Sequence, residues 1–153
     1  MRRAFGVAAI VGCVLSAGLV PAQERSKPLP LSEFVGKFTD PGLTSAQKEV
    51  GLKRGTWYEG AITVTDVEYY TNKGTGDPFF EIKDVNYQGG CYLLLFRVQD
   101  ADKALALKVG DKVAIRGRLS NIGMATTKYV MVCETRFALF KDCEILEVLK
   151  PGK

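Results

Sequence analysis

The residues best able to do chemistry in this sequence are five carboxylates scattered around one glycine-rich loop, "NKGTGDP". They are Asp66, Glu68, Asp77, Glu81 and Asp84. Two of them could in principle form an acid/base pair, but nothing in their spacing requires it. Carboxylates alone are too common to define a metal site, and the loop lacks the Lys-Ser/Thr ending of a phosphate cradle. These residues therefore give only weak support for an enzyme.

Histidine is absent from all 153 residues. Its absence excludes Ser-His and Cys-His nucleophile pairs and every metal site that needs an imidazole. None of the cysteines Cys91, Cys133 and Cys143 lies in a C-x-x-C spacing, so a redox motif or a zinc site has no support. We therefore predict a non-catalytic protein with no metal and no cofactor.

The N-terminus has the pattern of an export signal. Arg2 and Arg3 form a positive start, Ala4 to Val20 are mainly apolar, and Val20-Pro21-Ala22 offers a cleavage site. We expect residues 1–22 to be a signal peptide and the mature protein to be periplasmic or secreted, without a transmembrane span. An uncleaved anchor and a lipid on Cys13 are the less favoured alternatives.

Cleavage would change the charge and the cysteine count. The formal net charge falls from +4 to +2, because the signal segment holds two arginines and no acidic residue. A nearly neutral domain lacks the field of a dedicated nucleic-acid binder. The three remaining cysteines, in an oxidising compartment, allow one disulfide and one free thiol, or three buried thiols.

Residues 23–55 precede the strands. The segment 23–34 is rich in proline and polar residues and reads as a flexible leader. A short helix is predicted over 46–52, capped by Thr44 or Ser45. We therefore expect the folded domain to cover residues 56–150, with this helix as an N-terminal extension.

Strand patterns occupy most of the domain. Alternating apolar residues predict strands over 57–70, 79–85, 91–98, 112–119 and 138–150, and the third is apolar on both faces, so it needs a lid. Asp100 is predicted to cap a short helical connection within 99–109. A turn is predicted at Asn121 to Gly123, and it would lead into an added hairpin. Three strands, a helix and two strands is the order of a five-stranded Greek-key barrel, the OB-fold.

Three stretches, "CYLLLF", "LKVGDKVAIRGRL" and "LFKDCEIL", resemble in order the bacterial tRNA-anti-like OB-fold domains, a group of small exported proteins. The resemblance covers roughly residues 56–148, and the segment 120–136 departs from it. In such a barrel the third and fifth strands are parallel neighbours. The resemblance thus implies a disulfide between Cys91 and Cys143 and a free Cys133.

OB-folds bind ligands on the face of strands two and three, between the loops at either side. The residues predicted there are Tyr69, Tyr70, Lys73, Phe79, Lys83, Arg97 and Lys128. Aromatic rings beside cations suit stacking on sugars, bases or flat side chains. We therefore predict a binding module of the cell envelope whose partner is an envelope protein, a glycan or a small ligand, although both tyrosines could instead merely close the barrel.

Single-stranded nucleic-acid binding is the alternative function. It would use Lys112, Arg116 and Arg118, which share one face of the fourth strand, as phosphate contacts. The low net charge, the export signal and the distance of this strand from the usual ligand face count against it. A solvated strand face explains the same three cations.

Overall fold

Strands account for most of the described residues, which are 27–86, 92–125 and 135–151 of this computed structural model. In these ranges the chain forms seven strands and three helices. In chain order they are β1 (Leu29–Pro30), α1 (Leu31–Thr39), α2 (Ser45–Gly51), β2 (Trp57–Thr63), β3 (Asp66–Thr71), β4 (Pro78–Asn86), β5 (Tyr92–Val98), α3 (Ala101–Ala106), β6 (Lys112–Ala125) and β7 (Thr135–Lys150).

The seven strands form one open mixed sheet in the order β1-β2-β6-β7-β5-β4-β3. β1 pairs with β2 and β5 with β7 in parallel, and the other neighbours are antiparallel. The mainly β class and the parallel pairing of the third and fifth predicted strands are confirmed. The prediction of a five-stranded closed barrel is wrong, because the sheet has seven strands and is open.

The break in the first predicted strand is one reason for the difference. The continuous strand expected over 57–70 stops at Val64 and Thr65, and its halves β2 and β3 pair with β6 and β4 respectively. The Val64 amide donates to the Asp111 carbonyl (2.8 Å), and the Thr65 amide donates to the Lys83 carbonyl (2.8 Å). The two linking residues are thus hydrogen-bonded to different parts of the sheet, Val64 to the residue before β6 and Thr65 to β4. Alternation of side chains continues across them, so the sequence pattern does not reveal the break.

Helix α1 replaces part of the predicted leader. Leu31, Phe34 and Phe38 are spaced to lie on one helical face, and all three are buried. Pro30 lies at the N-cap, and proline is compatible with the start of a helix because the first amides need no intrahelical partner. Because β1 pairs with β2 and α1 follows it, treating the prolines as marks of a flexible leader was wrong from residue 29 onward.

The two predicted short helices are confirmed. In α2 the Thr44 hydroxyl accepts from the Gln47 amide (3.2 Å) and the Gln47 side chain accepts from the Thr44 amide (2.8 Å), a complete capping box. In α3 the Asp100 carboxylate accepts from the Lys103 amide (3.1 Å). Both caps satisfy amides that have no partner within the helix.

The turn predicted at Asn121 to Gly123 does not form. β6 continues through these residues to Ala125 and pairs with β7 as far as Thr135. Gly123 is needed there for close packing: a Cβ atom would lie 2.8 Å from the Phe137 ring. The glycine reflects contact with an aromatic ring and does not mark a turn.

The core lies on the inner face of the sheet, which we define by Leu94, Phe96 and Val98 of β5. Phe96 stacks on Phe140 of β7 with ring centroids 4.7 Å apart. α1 packs on this same face, since Phe34 contacts Phe140 at 5.2 Å. The N-terminal helix α1 is thus not the lid expected over the other face of β5, where Leu93 is buried.

Candidate ligand-binding cleft

The outer face of β3, β4 and β5 carries most of the predicted binding residues. Strand register places Tyr70 beside Phe79, and Asp66 beside Lys83. Arg97 of β5 lies beside Glu81 of β4. Because side chains two residues apart share a face, these residues form one continuous polar and aromatic surface.

Phe79 is enclosed by two neighbours on this surface. Its ring stacks on Tyr70, with centroids 5.5 Å apart and planes 18° apart, and the Arg97 guanidinium lies 4.8 Å from its centroid. β3 and β5 flank β4 on opposite sides, so Tyr70 and Arg97 contact Phe79 from opposite sides. The ring is therefore held in a stack, which leaves its faces occupied by protein groups.

Lys83 is also occupied. It is buried, and its ammonium nitrogen lies 2.5 Å from Glu68 Oε1 and 3.5 Å from Asp66 Oδ2. The hydrogen bond from Lys83 lowers the pKa of Glu68, and the Tyr70 hydroxyl, which donates to the same carboxylate, has a raised pKa for that reason. Lys83 thus neutralises two carboxylates of β3 within the sheet surface.

Replacing Lys83 with methionine is expected to raise the pKa of Glu68 toward its ordinary value of 4.5. A lowered carboxyl pKa contributes stability above the ordinary pKa and loses it as the pH falls through the folded-state pKa. The melting temperature of K83M should therefore lie a few degrees below that of the wild type near neutral pH, and the difference should shrink as the pH falls below 4.5 and Glu68 becomes protonated in both proteins. Thermal unfolding followed by circular dichroism at several pH values measures this.

Lys37→Met is the matched control for this experiment. Lys37 pairs with Glu33 at 2.8 Å, but both side chains are largely exposed, so their removal should change the melting temperature little. A K83M deficit that is the same at every pH would contradict the assignment of its cause to the carboxylates of β3.

A cleft of about 440 Å³ opens beside Arg97, where the start of β4 and the end of β5 meet the middle of β7. We call it the Arg97 cleft. β4 and β5 provide its aromatic and cationic walls, β7 provides three consecutive residues, and two amides come from the loops after β3 and β5. Its lining residues are Asn72, Phe79, Arg97, Gln99, Lys141, Asp142 and Cys143.

A bulge in β7 brings its three residues to the cleft. The register with β6 shifts between Arg116 and Arg118, and Asp142 has a left-handed backbone with φ of 53°. Aspartate is one of the few residues that adopts this conformation at modest cost. The bulge directs the Asp142 carboxylate to the Arg118 Nε, at 2.9 Å, while Cys143 packs against Gly117.

The Cys143 thiol is a poor candidate for a nucleophile. Burial raises the pKa of this thiol above its ordinary value, so it is protonated at neutral pH. The thiol is free in the structure, and Cys143 lies beside Val98 at one end of the pairing between β5 and β7. Tyr92, which follows Cys91 in the sequence, lies beside Arg136 at the other end of that pairing. Cys91 and Cys133 lie outside the described residues, and the Cys91–Cys143 bridge stays a prediction.

Donors with spare capacity set the electrostatic character of the cleft. Arg97 uses Nε to bind Glu81 at 3.1 Å, and its terminal nitrogens have no bond to a described residue. Lys141 is exposed and likewise forms no ion pair within the described part of the chain. Asn72 accepts from the Gly74 amide, which leaves its own NH₂ group as a donor. The cleft is thus suited to a carboxylate or phosphate group.

The remaining predicted binding residues are not all at this cleft. Tyr69 points to the inner face, where it contacts Phe80 at 5.4 Å, because adjacent residues of a strand face opposite ways. Lys73 lies in the exposed turn next to Asn72, and Lys128 lies outside the described residues. Of the predicted set, the structure brings together Tyr70, Phe79, Lys83 and Arg97.

Five residues that line the cleft were not predicted as binding residues from the sequence. They are Asn72, Gln99, Lys141, Asp142 and Cys143, of which Cys143 was predicted only as a disulfide partner. The parallel pairing of β5 with β7 was the signal that could have located the last three. It places Cys143 beside Val98, next to Arg97. The bulge that turns these residues toward the cleft has no comparable sequence signature.

Two of the three cations considered on β6 are paired with acidic residues of β7. Arg116 contacts Glu144 at 2.6 Å, and Arg118 contacts Asp142. Lys112 is exposed at the start of the strand, where it lies beside Lys150. Two of the three residues considered as phosphate contacts therefore already have carboxylate partners.

Comparisons with known proteins identify no family. Neither a scan against protein-family models nor a search of curated proteins finds a match for this chain. Within the described residues, no helix is sufficiently long and apolar to cross a bilayer. Nor do three or more potential metal ligands of the Cys, Asp or Glu type converge anywhere in those residues.

Proposed function

We propose that the protein is an exported, non-catalytic binding module of OB type, and that the Arg97 cleft takes an acidic group of its ligand. The strand order supports the OB relationship. If β2 and β3 are counted as halves of one first strand, the order becomes 1-4-5-3-2-1, with a short helix between strands three and four. The same order is expected of the tRNA-anti-like domains that the sequence resembles.

The state of the ionisable groups supports a binding role over a catalytic one. Burial raises the pKa of the Cys143 thiol and keeps it protonated, which makes this residue a poor nucleophile. Glu68 on the outer face has a lowered pKa and is bound by Lys83 and Tyr70, so it is a weak proton acceptor. The sequence has no histidine to act as a general base.

The observation that carries the proposal is the free donor capacity of Arg97 and Lys141 in a recess of ligand size. A charged hydrogen bond contributes about 1.5–3 kcal/mol, and two of them on one acidic group would fix its orientation. An acidic glycan or a small organic acid of the cell envelope fits these requirements. Export rests on the pattern of residues 1–22, which lie outside the described residues.

Nucleic acid is less well supported as the ligand. Arg116 and Arg118 are paired with acidic residues of β7, and the aromatic faces that bases would need are occupied at Phe79. Glucuronate, a sugar with one carboxylate, is therefore the better first probe than an oligonucleotide.

Calorimetric titration of the purified protein with glucuronate tests this function, with glucose as the neutral match. Glucuronate should bind and glucose should not. Lys141→Gln should weaken glucuronate binding roughly tenfold, as expected for loss of one charged hydrogen bond. Lys53→Gln, the same change at an exposed lysine outside the cleft, should leave the affinity unchanged. Equal affinity for glucose, or equal loss in both variants, would overturn the proposal.

A further inference from the structure

A second recess lies between α1 and the sheet. It has a volume of about 660 Å³, and we call it the α1 groove. Val35 of α1 and Tyr92 of β5 are half-buried and supply apolar surface to it, and Leu31, Ile62 and Leu94 also line it but belong to the buried core. Asp84 of β4 is a half-buried acidic group beside these apolar side chains. A carboxylate in such surroundings needs a partner to offset its desolvation.

The groove results from the break in the first strand. β2 and β4 are not paired through their backbones, and the Asp84 side chain bridges them by accepting a hydrogen bond from the Thr63 amide at 3.2 Å. α1 approaches β2 closely at Gly60, where a Cβ atom would lie 2.6 Å from Leu31 Cβ. The space beyond this contact remains open alongside Asp84.

Asp84 has unused capacity as an acceptor. Among the described residues the Thr63 amide is its hydrogen-bond partner, whereas an ionised carboxylate can accept about four hydrogen bonds. Burial raises the pKa of Asp84, which means that its charge is incompletely compensated. Glu59 and Lys112 also line the groove, so acidic groups outnumber basic ones there.

We propose that the α1 groove is a separate binding site for a ligand with an ammonium group on an apolar chain, and that the Asp84 carboxylate binds the ammonium. The apolar side chains of the groove cover the ligand's chain, and the cation pairs with Asp84, which has no ion pair among the described residues. A small amine or the lysine-like end of a larger amine has this chemistry.

The site does not depend on the Arg97 cleft. The two recesses share no lining residue. Asp84 lies five residues from Phe79 along β4, roughly 16 Å at the rise of a strand, and it faces the inner side of the sheet, whereas Phe79 faces the outer side. Binding at one site can therefore be measured while the other is mutated.

Hexylammonium is the probe for the α1 groove, with hexanol and hexanoate as neutral and anionic matches of the same chain. Titration should be followed by amide NMR, because the Thr63 amide donates to Asp84 and reports directly on it. Hexylammonium should shift the Thr63 resonance and should bind at least about tenfold more tightly than either match, the factor for one charged contact. If hexanoate binds as tightly, or the Thr63 resonance does not move, the proposal is wrong.

Two variants make the test specific. Asp84→Asn keeps an oxygen that can accept from Thr63 but removes the charge, so hexylammonium should lose its advantage over hexanol. Gly36→Leu places a side chain into the groove from α1, where no atom lies within 4 Å of a Cβ, and should block all three probes while the fold is retained. Unchanged hexylammonium binding in both variants would place the probe elsewhere and overturn the assignment.

Discussion

Phe34→Ala is expected to lower the free energy of unfolding by about 3–5 kcal/mol, the range for truncating a fully buried phenylalanine. Phe34 is completely buried, and its ring contacts Phe38 at 5.3 Å, Tyr58 at 5.1 Å and Phe140 at 5.2 Å. It therefore joins α1 to both β2 and β7. Truncation leaves a cavity at the centre of this aromatic cluster and also weakens the attachment of the helix.

Urea unfolding of the purified protein measures the effect. Leu105→Ala is the matched control, because Leu105 is also an apolar helical residue but is 71% exposed, and its truncation should cost less than about 0.5 kcal/mol. A loss below about 1 kcal/mol for Phe34→Ala would mean that α1 is not part of the core. In that case the prediction that residues 23–34 form a flexible leader would hold as far as Phe34.

Gly117→Ala is the second substitution with a large expected effect, a loss of about 1–3 kcal/mol from overpacking. The new Cβ would lie 2.6 Å from Cys143 Sγ and 3.0 Å from Phe140 Cβ. Both neighbours belong to β7, and the bulge at Asp142 fixes their position. The side chains cannot move away without disturbing the bulge and the Arg97 cleft.

The double variant Gly117→Ala with Cys143→Ala separates the clash with the Cys143 sulfur from the clash with Phe140. Removing the sulfur relieves the closest contact, so the double variant should recover part of the stability lost in the single one, and the two changes should couple. Gly36→Ala is the control, since no atom lies within 4 Å there and the helix should gain about 0.5–1 kcal/mol. Additive effects of the two changes would contradict direct packing of Cys143 on Gly117.

The sequence predicted the elements better than their arrangement. Asp100 was predicted as a cap, and Thr44 as one of two candidates with Ser45, because short polar side chains at the start of a helix bind its free amides. The strand segments followed from alternation. The break at Val64 and Thr65 did not, because it is set by hydrogen bonds to Asp111 and Lys83, which are distant in sequence.

In the candidate site, too, local patterns predicted some residues, whereas their arrangement depended on contacts between distant strands. Phe79 and Arg97 could be placed on one face from strand period and fold analogy, and the structure brings them into contact. Tyr69 and Tyr70 were assigned to one surface although adjacent strand residues face opposite ways. Lys141 and Asp142 depend on a bulge in a long strand pair, and the occupied faces of Phe79 depend on both neighbouring strands. Such tertiary features are not encoded in a local pattern.

Chemical-shift mapping of glucuronate binding is the most direct test of the proposed function. An amide NMR titration of the purified protein should show its largest changes at Arg97, Gln99 and Lys141, the residues around the Arg97 cleft. Changes that instead centre on the β6 face of Lys112, Arg116 and Arg118, or saturable binding with no change at the cleft, would contradict it.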